Sequence, residues 1–581
     1  MSEDSSPTAP RPLFARLAVP ALLFAAVFAA FWPALSAEFQ EGWDDNYTIT
    51  ENGHFRGLSL EHLRWMFTTG RLGHWQPLSW VTFAVNYKLG ELDPFGYHLV
   101  NLLIHALNAV LFFFLGRALL RLGSSAPGAG ERVLPALAGA LLFAVHPLRV
   151  ESVAWVTERR DVLSTLFLLC TVLAWLRYAS GGGAKWYAAA ALAFALSLLS
   201  KAWGITLPAV LLVLDAWPLG RLRERSLLSL VVEKVPLGLL SIGAAVAAYW
   251  AQSSSGAMHY AEHFDVLQKA AQACYGLCFY VVKTVAPFDL LPAYLLEKDL
   301  KWSEPRFLAS FAGVAAALVA IVVLRRRLPA LTTACVVYAI VVSPVLGLTQ
   351  SGVQLVADRY TYLATMPFAL LLAGAVARAA AGTARTAAML ATAVVAVVLG
   401  GLTHAYTRYW HDSETLWEYT LEIEPDHSLA YNQLGTQYMK EGDNRRALEC
   451  YENAVRVNPS SHLAYENRGI MRMRAGDNQG ALDDWERAIE LNEHCAIPIV
   501  NRGSLRFQAG DYAGALADYE LALSQEEDQA GVWYMLGSAR FKLGNYPGAR
   551  EAVQRCLEMA AADTPLHDQA LKFLADIPSA P

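Results

Sequence analysis

Charge is scarce in this 581-residue chain: Asp, Glu, Lys and Arg make up 17% of it, and apolar residues 55%. That balance excludes an ordinary soluble protein, and the length argues against a single domain. Cysteine is sparse too, with seven residues and no CxxC or Cys/His metal spacing. A zinc module is thereby excluded as the organising principle. No basic block and no nucleic-acid motif occurs, so nucleic acid is not an expected partner. A glycine-rich phosphate loop is missing as well, which argues against a nucleotide as substrate.

What charge there is falls unevenly. Residues 411–581 hold 15 Lys+Arg against 28 Asp+Glu, and the rest of the chain 31 against 24. An apolar, slightly basic first part therefore carries an acidic second part. Apolar stretches that approach the roughly 20 residues of a bilayer crossing begin near Leu13, Tyr97, Val133, Asp161, Lys185, Trp203, Val235, Ala271, Pro305, Pro329, Thr361 and Thr386. Small residues at Ala34–Ala37 also suit a signal-peptide cut after the first, and either way the loop that follows lies outside the cytoplasm. Positive charge orients the remainder. The connections holding Arg117, Arg121 and Arg132, then Gly220–Ser226, Arg325–Arg327 and Arg378–Arg385, read as cytoplasmic. Orientation walked from the two ends agrees only if Ala271–Ala286, short and carrying Gln272 and Lys283, does not span. Eleven crossings are expected, with the C-terminal part outside.

That C-terminal part repeats every 34 residues, with units opening at His427, Ser461, Cys495 and Gln529. Gly435, Gly469, Gly503 and Gly537 share one position, Ala447, Ala481, Ala515 and Ala549 another, and Gly442, Gly476, Gly510 and Gly544 a third. Small residues let two antiparallel helices approach closely, and the third glycine serves the turn between them. The period and register match the tetratricopeptide repeat. The expected organisation is a disordered cytoplasmic N-terminus (1–12), a transmembrane domain (13–405) whose first outer loop is 36–96, a connecting half-repeat helix (406–426), four repeats (427–562) and a cap or tail (563–581). The fold class is all-α: a polytopic helix bundle followed by an α-solenoid.

Ionisable residues gather in four places that this orientation puts on one face. They are Asp44–Asp45; the stretch "HPLRVESVAWVTERRDVLS" with His146, Arg149, Glu151, Arg159, Arg160 and Asp161; Lys201 between two spans; and "ADRYTYL" with Asp358, Arg359, Tyr360 and Tyr362. Each has a plain reading: paired aspartates cap helices, span-end cations snorkel to headgroups, and His146-Pro147 ends a helix. Cations on the outer face nevertheless run against the usual bias, and an anionic ligand at that surface accounts for them. A sugar carried on a lipid phosphate has an anionic leaving group that Arg and Lys can neutralise. A carboxylate can take the proton from the attacking hydroxyl. Adjacent aspartates also suit a divalent ion, although the sequence fixes no histidine partner for one.

Four stretches resemble the transmembrane and tetratricopeptide-repeat-containing O-mannosyltransferases, a family of the GT-C class: "WDDNYTITEN", Gln76–Phe114, "LLFAVHPLRVESVAWVTERRDVLS" and "ADRYTYL". The order of spans then repeats agrees. The resemblance implies a GT-C-like bundle in which Asp44 and Asp45 are the acidic pair of the first outer loop and, with Glu151, the catalytic carboxylates. Arg160, Lys201, Arg359 and Tyr360 would bind donor phosphate, with His146, Asp161 and Asp358 in support and no metal assigned. Lys201 stands in "SKAWGIT", where Ala202 replaces the acidic residue usual in the family. The implied function is transfer of a hexose, mannose in the animal members, from a polyprenyl-phosphate donor to Ser or Thr of exported proteins, with the repeats binding the protein acceptor. A glycan or lipid acceptor, and a non-enzymatic membrane scaffold, remain alternatives. The compact chain reads as a bacterial-type member of the inner membrane, with site and repeats on the periplasmic side.

Overall fold

Proline and extended backbone decide where the apolar stretches stop being helix. The computed structural model describes residues 13–123, 132–254, 264–297, 300–347, 352–379, 383–525, 529–562 and 564–578, so the expected tail 1–12 lies outside the described residues. All eleven segments expected to cross the bilayer form apolar helices, but not all are long. Six have the length and composition to cross alone: Leu17–Ser36, Pro94–Leu122, Val156–Gly182, Leu227–Ser254, Pro305–Leu324 and Thr383–Tyr409. Two more qualify as bent pairs, Val133–Ala144 with Pro147–Ala154 (61°) and Asp358–Ala364 with Met366–Arg378 (49°). Ala184–Ser200, Ala202–Ala216 and Pro329–Val345 are shorter. Among the described residues, the helices long and apolar enough to cross thus number six, or eight if each bent pair is one span, against the eleven crossings expected. One reason is visible at Lys201, whose extended backbone (φ −159°, ψ 136°) splits a long apolar stretch into two short helices. Ala271–Ala286 lies in an amphipathic helix, Val266–Val285, opened by an Asp265/Gln268 capping box and too polar to count as a span.

The chain divides into two compact units, Met1–Leu416 and Trp417–Pro581. The division falls inside the expected connecting segment 406–426. In the first unit, polar side chains fasten the Pro94–Leu122 helix to its neighbours. Asn108 donates to the Val162 carbonyl at 2.8 Å and to the Tyr362 hydroxyl at 3.0 Å. His105 Nε2 donates to the Ala144 carbonyl at 2.9 Å, which leaves Nδ1 to accept from Tyr362 Oη at 2.6 Å. Such bonds matter where helices pack without a hydrophobic driving force. The only strands among the described residues, Tyr294–Leu295 and Gln354–Val356, pair antiparallel and set the Asp358–Tyr360 turn beside Tyr294.

The second unit contains four helical hairpins: Ser428–Glu441 with Asn444–Val457, His462–Arg474 with Asn478–Leu491, Ala496–Gln508 with Tyr512–Gln525, and Ala530–Lys542 with Tyr546–Met559. A further helix, Pro565–Asp576, follows where a cap or tail was expected. Each hairpin turns on the glycine of its helix–helix junction, with φ between 78° at Gly544 and 87° at Gly510, a left-handed conformation that side chains disfavour. The next residue, Asp or Asn, caps the second helix: Asp443 accepts from Arg446 N–H at 3.0 Å, and Asp477 from Gly480 N–H at 3.0 Å.

Candidate active site

The loop after the first apolar helix cannot continue as helix, because Pro33 turns the chain into a short 3-10 segment, Trp32–Ser36, followed by extended backbone. The two aspartates that follow have different fates. Asp45 is fully buried. Its Oδ2 accepts from the Gln40 N–H at 2.9 Å, and its Oδ1 from the N–H and hydroxyl of Thr157 at 3.0 and 2.5 Å. Asp45 therefore closes its own loop and pins it to the second conspicuous segment. Burial pushes its carboxyl up to about 6, against the lowering effect of those bonds. Asp44 stays partly exposed and makes no hydrogen bond or ion pair among the described residues. Desolvation raises its carboxyl above the ordinary range; Arg160 opposes the rise and Glu158 adds to it.

The second segment is a run of short turns because Pro147 ends one helix and Trp155 is extended (φ −75°, ψ 119°). That leaves Glu158 at a helix start, fully buried, at the centre of three cations. Arg160 donates to it through Nη2 at 2.5 Å and Nε at 3.1 Å, Lys201 through Nζ at 3.1 Å, and Arg359 Nε lies 3.6 Å away. Two outer carboxylates complete the alternation. Asp161 pairs with Lys201 and accepts from Ser152 Oγ at 3.1 Å. Glu151 pairs with the Arg359 guanidinium and accepts the Arg359 backbone N–H at 2.6 Å. Arg160, Lys201, Arg359, Glu151 and Asp161, five of the residues singled out in sequence, thus meet around a sixth that was not. Asp44 senses the charges of Arg160, Glu158 and Arg359 and belongs to the same neighbourhood.

Aromatic faces wall the cluster. Trp155 stacks on Trp43 with centroids 4.2 Å apart and carries Arg359 at 5.7 Å. Arg359 also lies 5.1 Å from the Tyr360 ring, and Lys201 lies 5.0 Å from Trp203. The Tyr360 hydroxyl accepts from Gln354 Nε2 at 2.9 Å.

Other candidates are absorbed by the scaffold. His146 Nδ1 accepts from Leu148 N–H at 3.2 Å and its Nε2 donates to the Thr284 carbonyl at 3.0 Å, so both nitrogens are committed to ending one helix and holding another. Its support of the site is correspondingly indirect. Asp358 accepts from the Tyr294 hydroxyl at 3.2 and 3.3 Å. Arg149 binds the hydroxyls of Thr361 and Thr365 at 3.4 and 2.6 Å. Arg159 binds Asn101, Asn86 and the Tyr97 carbonyl at 2.8, 2.5 and 2.8 Å. Sequence reasoning missed His74 as well as Glu158. Burial, with the charges of Arg160 and Lys201, holds the His74 imidazole well below its usual range and therefore neutral. Nothing in "RLGHWQP" marks it, whereas Glu158 stands in the conspicuous "TERRD" and was legible as a further acid.

The aspartate pair does not fit a shared divalent ion. Both Asp45 oxygens are already filled by N–H and O–H donors. Among the described residues no group of three or more His, Cys, Asp or Glu side chains is disposed to hold a metal.

Fold and cluster together define an all-α, multi-pass membrane protein with a tetratricopeptide solenoid. The Tetratricopeptide repeat family profile matches residues 432–493 and again 506–572. In sequence the chain is related to the transmembrane and tetratricopeptide-repeat-containing O-mannosyltransferases, as its motifs implied. It is 31% identical over 252 residues to human Protein O-mannosyl-transferase TMTC2, covering 40% of this chain and 28% of that one. It is 35% identical over 185 residues to the Xenopus laevis tmtc2 protein, covering 31% and 20%, and 31% identical over 202 residues to Drosophila melanogaster Tmtc1, covering 33% and 20%. The matched stretch spans about a quarter of the length of these curated relatives. Similar solved structures include the TPR protein YrrB (20% identity, TM-score 0.25, 31% of this chain and 89% of that one) and MamA (23%, 0.24, 27% and 89%).

Proposed function

We propose that the chain is a membrane glycosyltransferase that moves a hexose, mannose by analogy with its relatives, from a polyprenyl phosphate to a Ser or Thr hydroxyl of exported proteins. One observation carries the proposal: three cations from separate segments converge on Glu158 beside a single open carboxylate, Asp44. In the step this arrangement suits, the acceptor oxygen attacks the anomeric carbon and the bond from that carbon to the phosphate oxygen breaks. The bonding pair leaves with the polyprenyl phosphate, and the hydroxyl proton passes to Asp44. The configuration inverts. Arg160, Lys201 and Arg359 offset the charge gained by the leaving phosphate. Each is already held by a carboxylate, so little reorganisation is needed as the charge develops. Asp45 acts through position, by fixing the loop that presents Asp44. The repeats supply an extended surface of the kind such solenoids use for protein segments, and the charge bias of the connections supports a cluster facing the periplasm.

The test is transfer by the reconstituted chain from polyprenyl-phosphate mannose to a Ser/Thr-rich peptide. Asp44→Asn is expected to lower turnover about 10²–10⁴-fold, the usual contribution of a positioned base, without changing Tm. Because the Asp44 carboxyl is raised, wild-type turnover should fall on its acidic side above the ordinary carboxylate range. Undiminished turnover in Asp44→Asn removes the assignment.

A further inference from the structure

The Asp44 loop is also held from a direction opposite in sequence to everything the transfer step uses. A helix end leaves backbone carbonyls with no partner inside the helix. Past the end of the Thr383–Tyr409 helix, the carbonyls of the next two residues are taken by the loop. Gln40 Nε2 donates to the Trp410 carbonyl at 3.0 Å, and the Glu38 N–H to the His411 carbonyl at 2.7 Å. Ser413 Oγ donates the other way, to the Glu41 carbonyl at 2.8 Å. Three bonds thus join two short stretches that lie 370 positions apart at Gln40 and Trp410.

Ring packing repeats the connection nearer the base. Trp43, the residue before Asp44, has its ring centroid 4.2 Å from that of Trp155 and 6.4 Å from that of Trp410, and Trp155 and Trp410 are 6.1 Å apart. The three indoles therefore meet pairwise, and Trp155 in turn carries Arg359. Trp410 is fully buried, yet its indole N–H has no hydrogen-bond partner among the described residues. Leaving a buried donor unpaired is unfavourable, so what this position uses is the ring. Ser413 is buried as well. Asp45 ties the loop to Thr157 on one side; Trp410 and Ser413 tie it to the last long span on the other.

We propose that Trp410 and Ser413 are positioning residues for the transfer, and that the end of the last long span sets where the loop presents Asp44. The proposal rests on the reading of Asp44 as the base. A misplacement of about 1 Å can cost about 10²-fold in rate. Among the described residues neither Trp410 nor Ser413 bonds to Arg160, Lys201 or Arg359, so donor binding survives their loss.

Steady-state kinetics of the reconstituted full chain, with each substrate varied in turn, test it. Trp410→Ala is expected to lower kcat about 10²-fold with both KM values unchanged, the pattern of an alignment lost only in the transition state. Trp410→Phe, which keeps a ring and gives up no hydrogen bond, should recover most of the rate. Ser413→Ala, which keeps the indole and removes one bond, should lower kcat less than Trp410→Ala does. Thr403→Ala is the control: it removes a bond from the same helix to the Val145 carbonyl (2.7 Å) and should lower Tm without lowering kcat. Wild-type kcat in both Trp410→Ala and Ser413→Ala, or an equal loss in Thr403→Ala, overturns the proposal. A second readout needs no turnover. In a chain whose native cysteines are replaced, Asp44→Cys should react with an impermeant thiol reagent about tenfold faster once Trp410→Ala is added, as expected of a loop released from local packing. An unchanged rate overturns the positioning role. Full turnover in Asp44→Asn would remove the base instead, and the labelling rate would still decide whether Trp410 holds the loop.

Discussion

At the scale of single residues, adjacency in sequence conceals opposite roles. Asp44 and Asp45 are chemically identical neighbours, yet one faces the charge cluster and the other is saturated by three donors. Asp45→Asn keeps the shape but loses the charge of those bonds and forces an NH₂ against a donor. It should cost about 1–3 kcal/mol, read as a lower Tm, with activity falling in step as the loop loosens. A variant with unchanged Tm and no activity would instead make Asp45 the base. The basic residues separate in the same way. Arg149 and Arg159 looked as suitable for an anion as Arg160, but threonine hydroxyls take up the first, and two asparagines with a carbonyl the second. Glu158 shows the converse: an inconspicuous acid becomes the hub because residues 43 and 201 positions away fold onto it.

Elements record the repeat grammar most faithfully. A Cβ added at Gly469 would meet the Trp485 indole at 2.5, 2.8 and 3.0 Å, so the paired helices must separate to accept one. Gly469→Ala should therefore destabilise the repeats by about 1–3 kcal/mol, the ordinary cost of overpacking, visible in a thermal melt. Glu466, on the same helix, is buried, and desolvation pushes its carboxyl up to about 7. A raised carboxyl favours folding while it is protonated. Its contribution is full below the ordinary carboxylate range and is lost as pH rises through about 7. The repeat unit should thus melt lower at pH 8 than at pH 5, by roughly 1–3 kcal/mol. Glu466→Gln should flatten that dependence; an unaltered slope would clear Glu466 of it.

For the whole molecule, the consequence of the apolar helices is sidedness. On the sidedness proposed here, the cation-bearing connections at Arg117, Arg325 and Arg378 face the cytoplasm and the Asp44 loop lies opposite. In a chain whose native cysteines are replaced, a cysteine at Glu51 should react with an impermeant thiol reagent on intact cells. One at Arg326 should react only after permeabilisation. Labelling of both from one side would invert or dismantle the arrangement.

The sequence by itself determined the two-part organisation, the 34-residue repeat and the four patches of charge, because periodicity and hydropathy are local properties carried by side-chain type. It also marked Arg160, Lys201, Arg359, Glu151 and Asp161 of the charge cluster, since cations on the face expected to lie outside run against the usual bias. It overcounted the long spans, because backbone breaks such as the one at Lys201 depend on packing rather than composition. Only the tertiary structure decided which aspartate stays open, that Glu158 gathers three cations, and that His146, Arg149 and Arg159 serve the scaffold. Those distinctions rest on hydrogen-bond partners brought together from distant segments, and a charge's function follows from what satisfies it.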